Sequence, residues 1–316
     1  MDYFKKLTKL RDHLQDLTFE EALIATEELL EGKLSPVKSS AFLTAMRIKG
    51  ETPQELAGML EAMRRRIKPL PSRGSALDLS INYDGKVKSI YILPSAVLIA
   101  NACGLRITYH YADKVPAKEG VTLHDVFEGL GYKYVDKNFF VTSHQKEFAP
   151  ELYKLMPLRR ELGFRTSLNV VEKLLNPFGA NSVITSVFHK PYFEKLSSLC
   201  EYAGFQRWLV VKGIEGGIEP LTDRPTFFKL GSSSIEKLDT GSLGVELPRK
   251  IETGYVLEDS VEINEKVIEG RADDKFVNWA LLCASFLLLG AGATTSIGQG
   301  FKLAQAGYRK LLERTR

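Results

Sequence analysis

A change of hydrophobic pattern near residue 74 constrains the fold of this chain more than any other feature. After it, short runs rich in β-forming residues alternate with helical segments that end at glycine, which is typical of a largely parallel sheet covered by helices. The strand signals are Leu77–Ser80, Arg106–Tyr111, Ser182–His189 and Arg207–Lys212. The helix signals are Pro94–Cys103, Thr122–Glu128, Pro191–Ala203, Lys275–Leu289 and Ile297–Leu312. Any ligand site of such a domain is expected at the carboxyl ends of its strands.

The first seventy residues instead predict three short helices with strong capping signals. A capping box at Thr18 precedes a helix over 19–31, Ser35 followed by proline starts one over 36–49, and a second capping box at Thr52 starts one over 53–67. Helices this short bury their apolar faces against one another or against a partner subunit. The sequence therefore predicts a helical dimerisation domain over 1–70, a linker rich in proline and glycine, and an α/β domain over 75–316.

Composition places the chain among ordinary globular proteins. Its 316 residues are 44% hydrophobic and 26% charged, and the longest uncharged apolar run, Trp279–Leu289, is too short to span a membrane. The first residues lack the apolar core of a signal peptide, so we expect a cytoplasmic protein without membrane association. A formal net charge of +4 permits a polyanionic partner without requiring one.

Two blocks of sequence carry a family resemblance. Thr18–Arg66 has the cap spacing, the Gly-Glu-Thr-Pro turn and the Glu-Leu-Ala-Gly of the anthranilate phosphoribosyltransferases and the related pyrimidine nucleoside phosphorylases. Arg159–Pro177, which reads RRELGFRTSLNVVEKLLNP, resembles that family's RxxLGxRTxxNxxGPLxNP motif. The resemblance implies a small N-terminal helical domain, joined by helices from about 148–178, and a larger α/β domain with a central, mostly parallel sheet. It also implies a homodimer formed through the helical domains, a substrate cleft, and pentosyltransferase activity.

The motifs with which this family binds phosphoribosyl pyrophosphate are degraded here. The glycine-rich GTGGDG loop, whose bare backbone amides approach pyrophosphate, falls on Ser80–Gly85 and retains only Asp84 and Gly85. The NIST segment falls on Tyr91–Pro94, where neither of its two hydroxyl side chains remains. The KHGN segment falls on Tyr109–Ala112, which keeps the histidine as His110 and loses the lysine.

The resemblance also assigns a metal position and an acceptor position. The Asp-Glu pair that holds magnesium in the family falls on Ile218–Glu219, so Glu219 is the only metal ligand left, and magnesium would lack half of its carboxylate pair. Arg159 matches the arginine that the family uses on the carboxylate of anthranilate. Together with Asp84, Gly85 and His110, it completes the candidate cleft residues.

Two functions of different classes follow from this pattern. Losing one preorganised contact typically costs about a hundredfold to a thousandfold in rate, so we do not expect the ordinary reaction of phosphoribosyl pyrophosphate with anthranilate. The first hypothesis is a transferase with an altered donor or acceptor, and a paralogue whose cleft binds a small regulatory ligand stays open beside it. The second is a non-enzymatic, sequence-nonspecific nucleic-acid-binding homodimer, in which basic side chains contact phosphates and tyrosines stack on bases. Its candidate residues are Arg64, Arg65, Arg66, Lys68 and Arg73, with Tyr83, Tyr91, Tyr109 and Tyr111.

Overall fold

Helices open the chain in the computed structural model, which describes residues 3–9, 13–71, 74 and 76–315. They are α1 Tyr3–Leu7, α2 Phe19–Leu30, α3 Pro36–Lys49 and α4 Pro53–Arg64. Both predicted capping boxes form: the Thr18 hydroxyl accepts from the Glu21 amide at 3.2 Å, and the Glu21 carboxylate accepts from the Thr18 amide at 2.9 Å. Thr52 and Glu55 make the same exchange. Helix α4 ends three residues before the predicted limit, at Arg64.

A seven-stranded sheet forms the centre of the second domain within the described ranges. Its strands are β1 Leu77–Ser80, β2 Ile107–Tyr111, β3 Phe140–His144, β4 Ser182–Ser186, β5 Arg207–Lys212, β6 Phe227–Leu230 and β7 Glu236–Lys237. Their spatial order is β3-β2-β1-β4-β5-β6-β7, with β1 to β5 parallel and the last two strands antiparallel. The chain moves outward from β1 in one direction and from β4 in the other. The gap between these two strands is therefore a topological switch point, where α/β sheets usually bind ligands.

Helices cover both faces of the sheet. The remaining ones are α5 Leu93–Ala102, α6 Leu123–Gly129, α7 Gln145–Phe148, α8 Pro150–Tyr153, α9 Met156–Leu162, α10 Leu168–Val171, α11 Tyr192–Tyr202, α12 Val256–Ile268, α13 Asp274–Gly290 and α14 Ile297–Thr315. One hydrophobic cluster joins a sheet face to α5, α6, α12, α13 and α14 and contains Trp279 and Phe286. A second cluster contains Phe42 of α3, Phe148 of α7 and Phe193 of α11, so the N-terminal helices and the 148–175 segment share a core against the other face.

The predicted architecture, a small helical domain followed by an α/β domain with a mostly parallel sheet, is confirmed. The structure adds elements without a sequence signal, namely β3, the antiparallel edge β6–β7, and helix α12. None of the helices in the described part of the chain is both long and apolar enough to cross a membrane.

Candidate functional site

An open cleft of about 940 Å³ lies at the carboxyl ends of the central strands. Its walls are the loops after β4 and β5, the 87–89 loop, the 249–252 segment and Arg47 of α3. Eight lysine and arginine side chains line it against three carboxylates, a formal excess of five positive charges. The cations are Arg47, Lys88, Lys118, Arg165, Lys212, Arg224, Arg249 and Lys250, and the carboxylates are Glu215, Asp223 and Glu252. A cleft with one dominant sign of charge concentrates counter-ions, and this one attracts anions.

Most of these cations are free of internal ion pairs. Lys118 approaches Glu215, Arg165 pairs with Asp84, and Arg224 lies 3.6 Å from Asp223. The other five have no carboxylate at ion-pair distance among the described residues; they are Arg47, Lys88, Lys212, Arg249 and Lys250. All of these except the half-buried Lys212 are exposed, so their charge faces the solvent of the cleft.

An exposed aromatic side chain accompanies the cations. Phe188, in the loop after β4, is 51% exposed and meets His189 edge to face, with ring centroids 4.7 Å apart. Both residues line the cleft. Exposed rings beside cations form the kind of surface on which single-stranded nucleic acids stack their bases.

The backbone amides of the 87–89 loop form an anion-binding nest, which the chain's own Glu215 fills. The Glu215 carboxylate accepts from the amides of Val87 at 3.1 Å, Lys88 at 3.0 Å and Ser89 at 2.7 Å. Burial acts to raise the pKa of Glu215, but these amides, the Lys118 charge and the Ser89 hydroxyl together hold this pKa below its usual range. The Gly213–Gly217 run is thus a turn that delivers a carboxylate to this nest, and the Gly217 amide donates to the Ile214 carbonyl within the turn.

A lysine ammonium neutralises the predicted metal ligand. Lys86 Nζ lies 2.7 Å from Glu219 Oε1, also donates to the Ile90 carbonyl at 3.2 Å, and sits 4.2 Å from the centre of the Tyr91 ring. Both charged side chains are almost fully buried. Lys86 already occupies one oxygen of this carboxylate, and the other, Oε2, is buried without a partner in the described part of the chain. Ile218 offers no second ligand, and no group of three or more His, Cys, Asp or Glu side chains that could hold a metal ion occurs in the described ranges. The residues present therefore do not fit a magnesium ion at Glu219.

Arg159 is held by an internal carboxylate. Its two terminal nitrogens donate to the two oxygens of Glu172, each at 2.7 Å, and both side chains are about 2% exposed. Such a two-pronged contact satisfies the guanidinium with the same geometry that a substrate carboxylate would require. In this structure Arg159 lines neither the cleft nor the pocket described below.

His110 belongs to a buried polar chain and does not reach the cleft. One ring nitrogen shares a hydrogen bond with the Tyr83 hydroxyl, and the other lies 3.3 Å from Asp78 Oδ2. Burial, together with the charges of Glu172 and Asp78, raises the pKa of Tyr83 well above its usual range. The Tyr83 side chain thus occupies space beside His110, at a loop position where the family motif has glycine.

The retained Asp84 and Gly85 differ in their roles. Arg165 Nε donates to Asp84 Oδ2 at 2.6 Å, whereas Asp84 Oδ1 is buried without a hydrogen-bond partner in the described part of the chain. Gly85 has a φ of +69°, and a Cβ atom there would stand 2.4 Å from the Val121 carbonyl oxygen. Gly85 therefore allows close backbone contact within the protein, whereas Asp84 lines a pocket beside the cleft.

That pocket, of about 150 Å³, opens off the cleft at the switch point between β1 and β4. Arg47, Arg165, Phe188 and His189 line both spaces. Deeper in the pocket, the 4% exposed Lys173 donates from Nζ to the Ser186 carbonyl at 2.7 Å and to Asn82 Oδ1 at 3.2 Å. Burial lowers the pKa of Lys173 to about 8.

Sequence reasoning missed Lys173 and Glu172, although a signal for both was present. They occupy the Gly-Pro positions of the RxxLGxRTxxNxxGPLxNP motif, so two charged residues replace two that carry no charge. One of them neutralises Arg159 and the other lines the pocket. The free cations of the cleft gave no such signal, because they come from separate segments and form no run beyond Arg249–Lys250.

The basic run predicted to contact nucleic acid is largely paired within the protein. Arg64 donates to the Ala203 carbonyl at 2.7 Å, Arg65 donates to Glu61 at 2.9 Å, and Arg66 pairs with Glu31 and Glu151. Lys68 is exposed, and Arg73 lies outside the described residues.

The prediction that four tyrosines stack on bases needs correction. Tyr83, Tyr91 and Tyr109 are at most 3% exposed, and the half-buried Tyr111 stacks on His124 at 3.8 Å, because the chain packs these rings into its own core.

Comparison with known proteins places these features in a family context. Residues 5–67 match the helical bundle domain of a glycosyl transferase family, and residues 88–310 match the a/b domain of the same family. An uncharacterized protein of Aquifex aeolicus is 52% identical over 297 residues, which cover 94% of this chain and 95% of the relative. The anthranilate phosphoribosyltransferase of Herpetosiphon aurantiacus is 28% identical over 92% of this chain and 90% of its own length.

Solved structures agree with the sequence matches. The crystal structure of anthranilate phosphoribosyltransferase from Thermus thermophilus superposes with a TM-score of 0.82 at 28% identity, covering 99% of this chain and 98% of that one. The Saccharomyces cerevisiae anthranilate phosphoribosyltransferase in complex with PRPP and Mg superposes with a TM-score of 0.80 at 20% identity, over 99% and 94% of the two chains, and at that identity it supports the fold alone.

Proposed function

The chain is an anthranilate phosphoribosyltransferase-like member of this glycosyl transferase family, and from that premise we propose that it binds nucleic acid in its basic cleft without a divalent metal. The binding is directed at the phosphate backbone and is independent of base sequence. The ordinary phosphoribosyl transfer to anthranilate is not part of this function.

The observation that carries the proposal is the excess of unpaired cations in the cleft. Arg47, Lys88, Lys212, Arg249 and Lys250 face one open space of about 940 Å³, which is too large for a single phosphate. A nucleic acid strand, which carries a negative charge at every nucleotide, matches such a distributed set of cations better than a compact ligand does. The exposed ring of Phe188 adds a stacking surface at the same cleft.

Internal contacts argue against the family's reaction. Glu215 fills the amide nest, Lys86 neutralises Glu219, and Glu172 holds Arg159. The groups that would otherwise bind a phosphate, a metal ion and a carboxylate thus already have partners within the protein, although Glu219 Oε2 is buried without one among the described residues. To release any one of them for a substrate, a buried ion pair or several charge-assisted hydrogen bonds must break, which is costly.

A transferase with an altered substrate is the second candidate, and the pocket at the switch point favours it. The pocket has room for a small acceptor, about 150 Å³, and Asp84 retains a buried, unpartnered carboxylate oxygen there. Calorimetric titration with phosphoribosyl pyrophosphate and magnesium, and separately with nucleosides plus phosphate, tests this reading. Absence of heat in both titrations would exclude it.

We also propose that the protein is a homodimer formed through its N-terminal helices. Helix α3 leaves Val37 and Ile48 79% and 77% exposed, and the two residues lie about three helical turns apart on one face. An exposed apolar stripe on a short helix is well suited to cover the same stripe of a second copy.

Fluorescence anisotropy with a labelled oligothymidylate of twenty nucleotides, measured from 50 to 300 mM salt, tests the nucleic-acid proposal. We expect binding at low salt, with log affinity falling linearly against log salt by about 0.7 for each phosphate neutralised. Lys250→Glu should weaken binding several-fold and reduce this slope by roughly one. The matched control is Lys302→Glu, which makes the same charge change on the exposed face of α14 and should leave affinity nearly unchanged. Equal effects of the two variants, or no binding at 50 mM salt, would refute the proposal.

A further inference from the structure

We propose that the pocket between β1 and β4 binds a phosphate monoester group, so that the cleft prefers nucleic acid strands that carry a terminal phosphate. This inference rests on the proposed nucleic-acid function, because the pocket opens directly into the basic cleft through Arg47, Arg165, Phe188 and His189. A strand lying in the cleft would place its end in the pocket.

The depth of the pocket supplies a desolvated cation. An ammonium group has three N–H donors, and Lys173 uses two of them, on the Ser186 carbonyl and on Asn82. The third has no acceptor within the described part of the chain. With the residue only 4% exposed, a phosphate oxygen that meets this donor forms a charge-assisted bond away from water, where such bonds are strongest.

Other donors point to the same kind of ligand. The Thr166 hydroxyl lines the pocket and is buried without a partner among the described residues, and the residue is 3% exposed. Arg165 commits Nε and Nη2 to Asp84, which leaves its other terminal nitrogen, and Arg47 has no ion-pair partner in the described ranges. A tetrahedral group with several acceptor oxygens can satisfy donors that arrive from different directions.

The pocket also distinguishes a monoester from a diester. Asp84 Oδ1 is a buried acceptor without a donor, and the proton of a monoanionic phosphate monoester can supply one, whereas a diester has no such proton. The pocket's volume of about 150 Å³ is room for a terminal phosphate group. Inorganic phosphate and the terminal phosphate of a strand share this chemistry.

Competition binding tests whether the pocket takes the terminal phosphate of a strand. Three unlabelled oligothymidylates of ten nucleotides, with a 5′-phosphate, a 3′-phosphate or neither, compete against a labelled strand without a terminal phosphate. We expect at least one phosphorylated competitor to bind about tenfold more tightly than the unphosphorylated strand, as charge-assisted hydrogen bonds would give. Thr166→Val should reduce this preference and Lys173→Met should abolish it. Lys212→Met, in the cleft outside the pocket, should weaken all three competitors equally.

Calorimetric titration of the same proteins with inorganic phosphate tests the pocket independently of any strand. Binding heat with the wild type, with affinity reduced in Thr166→Val and reduced further in Lys173→Met, supports the monoester pocket, and circular dichroism verifies that each variant is folded. Equal affinity for all three strands overturns the inference while the nucleic-acid proposal stands. If no strand binds at low salt, the proposed function fails instead, and the phosphate titration alone then decides whether the pocket takes a monoester.

Discussion

Single residues explain why this chain departs from the chemistry of its relatives. Lys86 takes the place of a metal's positive charge at Glu219, Glu172 takes the place of a substrate carboxylate at Arg159, and Tyr83 fills the space beside His110. The sequence revealed which binding groups are missing, through Tyr83 and Ile218. It could not reveal Lys86, because this lysine lies outside any family motif and its partner is 133 positions away along the chain.

The Lys86–Glu219 pair leads to a stability prediction. Lys86→Met leaves a fully buried carboxylate without its cation, so we expect it to lower the free energy of unfolding by about 3–5 kcal/mol. Lys88→Met changes an exposed lysine two positions away and should cost less than about 0.5 kcal/mol. Urea denaturation followed by circular dichroism measures both. Adding Glu219→Gln to Lys86→Met should restore part of the loss, and similar values for the two lysine variants would contradict this account.

Lys173 predicts a pH dependence for phosphate binding in the pocket. Its pKa of about 8 means that the ammonium is charged below this pH and becomes neutral above it. Phosphate affinity should therefore fall as the pH rises through 8 to 9.5, in addition to any decrease at the low end of the range that the ligand's own second ionisation causes. Titration calorimetry from pH 7 to 9.5 measures this, and Lys173→Met should bind weakly and show only the decrease that the ligand's ionisation causes.

Several charged or titratable groups surround Lys173. The charges of Asp84, Glu172 and Arg165 act on it from within the protein. Burial raises the pKa of the neighbouring Cys200 thiol to about 12. Arg47 and His189 face the pocket from its mouth. An affinity that stays constant to pH 9.5 would show that Lys173 does not contact the ligand.

At the scale of elements, the sequence predicted best where local signals determine structure. Strand β1 and strand β5 have the predicted limits, and the capped helices begin where their caps indicate. The edge strands were missed because β3 is buried at only two of its five positions and β7 is two exposed residues held by pairing with β6. Helix α12 was missed because its N-cap residue, Tyr255, provides no side-chain capping bond.

The loop after β1 depends on Gly85, which gives a prediction for an element. Gly85→Ala combines a strained positive φ with a Cβ only 2.4 Å from the Val121 carbonyl, so it should displace the paired 84–87 and 120–121 segments. Gly179→Ala is the matched control, with a φ of +65° and no atom within 4 Å. We expect about 1 kcal/mol of destabilisation for the control and an additional 1–3 kcal/mol for Gly85→Ala. Equal thermal stability of the two variants would show that the loop accommodates the added Cβ atom without loss of stability.

At the scale of the whole molecule, the sequence could not locate the basic surface. The consecutive arginines 64–66 form the basic run that the sequence predicted to contact nucleic acid, but in the fold two of them pair with Glu31, Glu61 and Glu151. The unpaired cations of the cleft come from α3, from the loop after β1, from the end of β5 and from the 249–250 segment, and only the folded chain brings them together. A run of charges is visible in the local sequence, whereas a charged cleft depends on how the fold brings distant segments together.

The exposed stripe of α3 provides the test of the predicted homodimer. Ile48 is 77% exposed, and a carboxylate there would be buried without a partner in an interface built on this stripe, so Ile48→Asp should shift the protein to a monomer at micromolar concentration. Tyr255→Asp introduces the same charge at a 71% exposed aromatic residue that precedes α12, far along the chain from the stripe, and should leave the dimer intact. Sedimentation velocity distinguishes the two states. A wild type that sediments as a monomer, or an Ile48→Asp variant that stays dimeric, would remove α3 from the interface, whereas loss of the dimer in Ile48→Asp alone would assign it there.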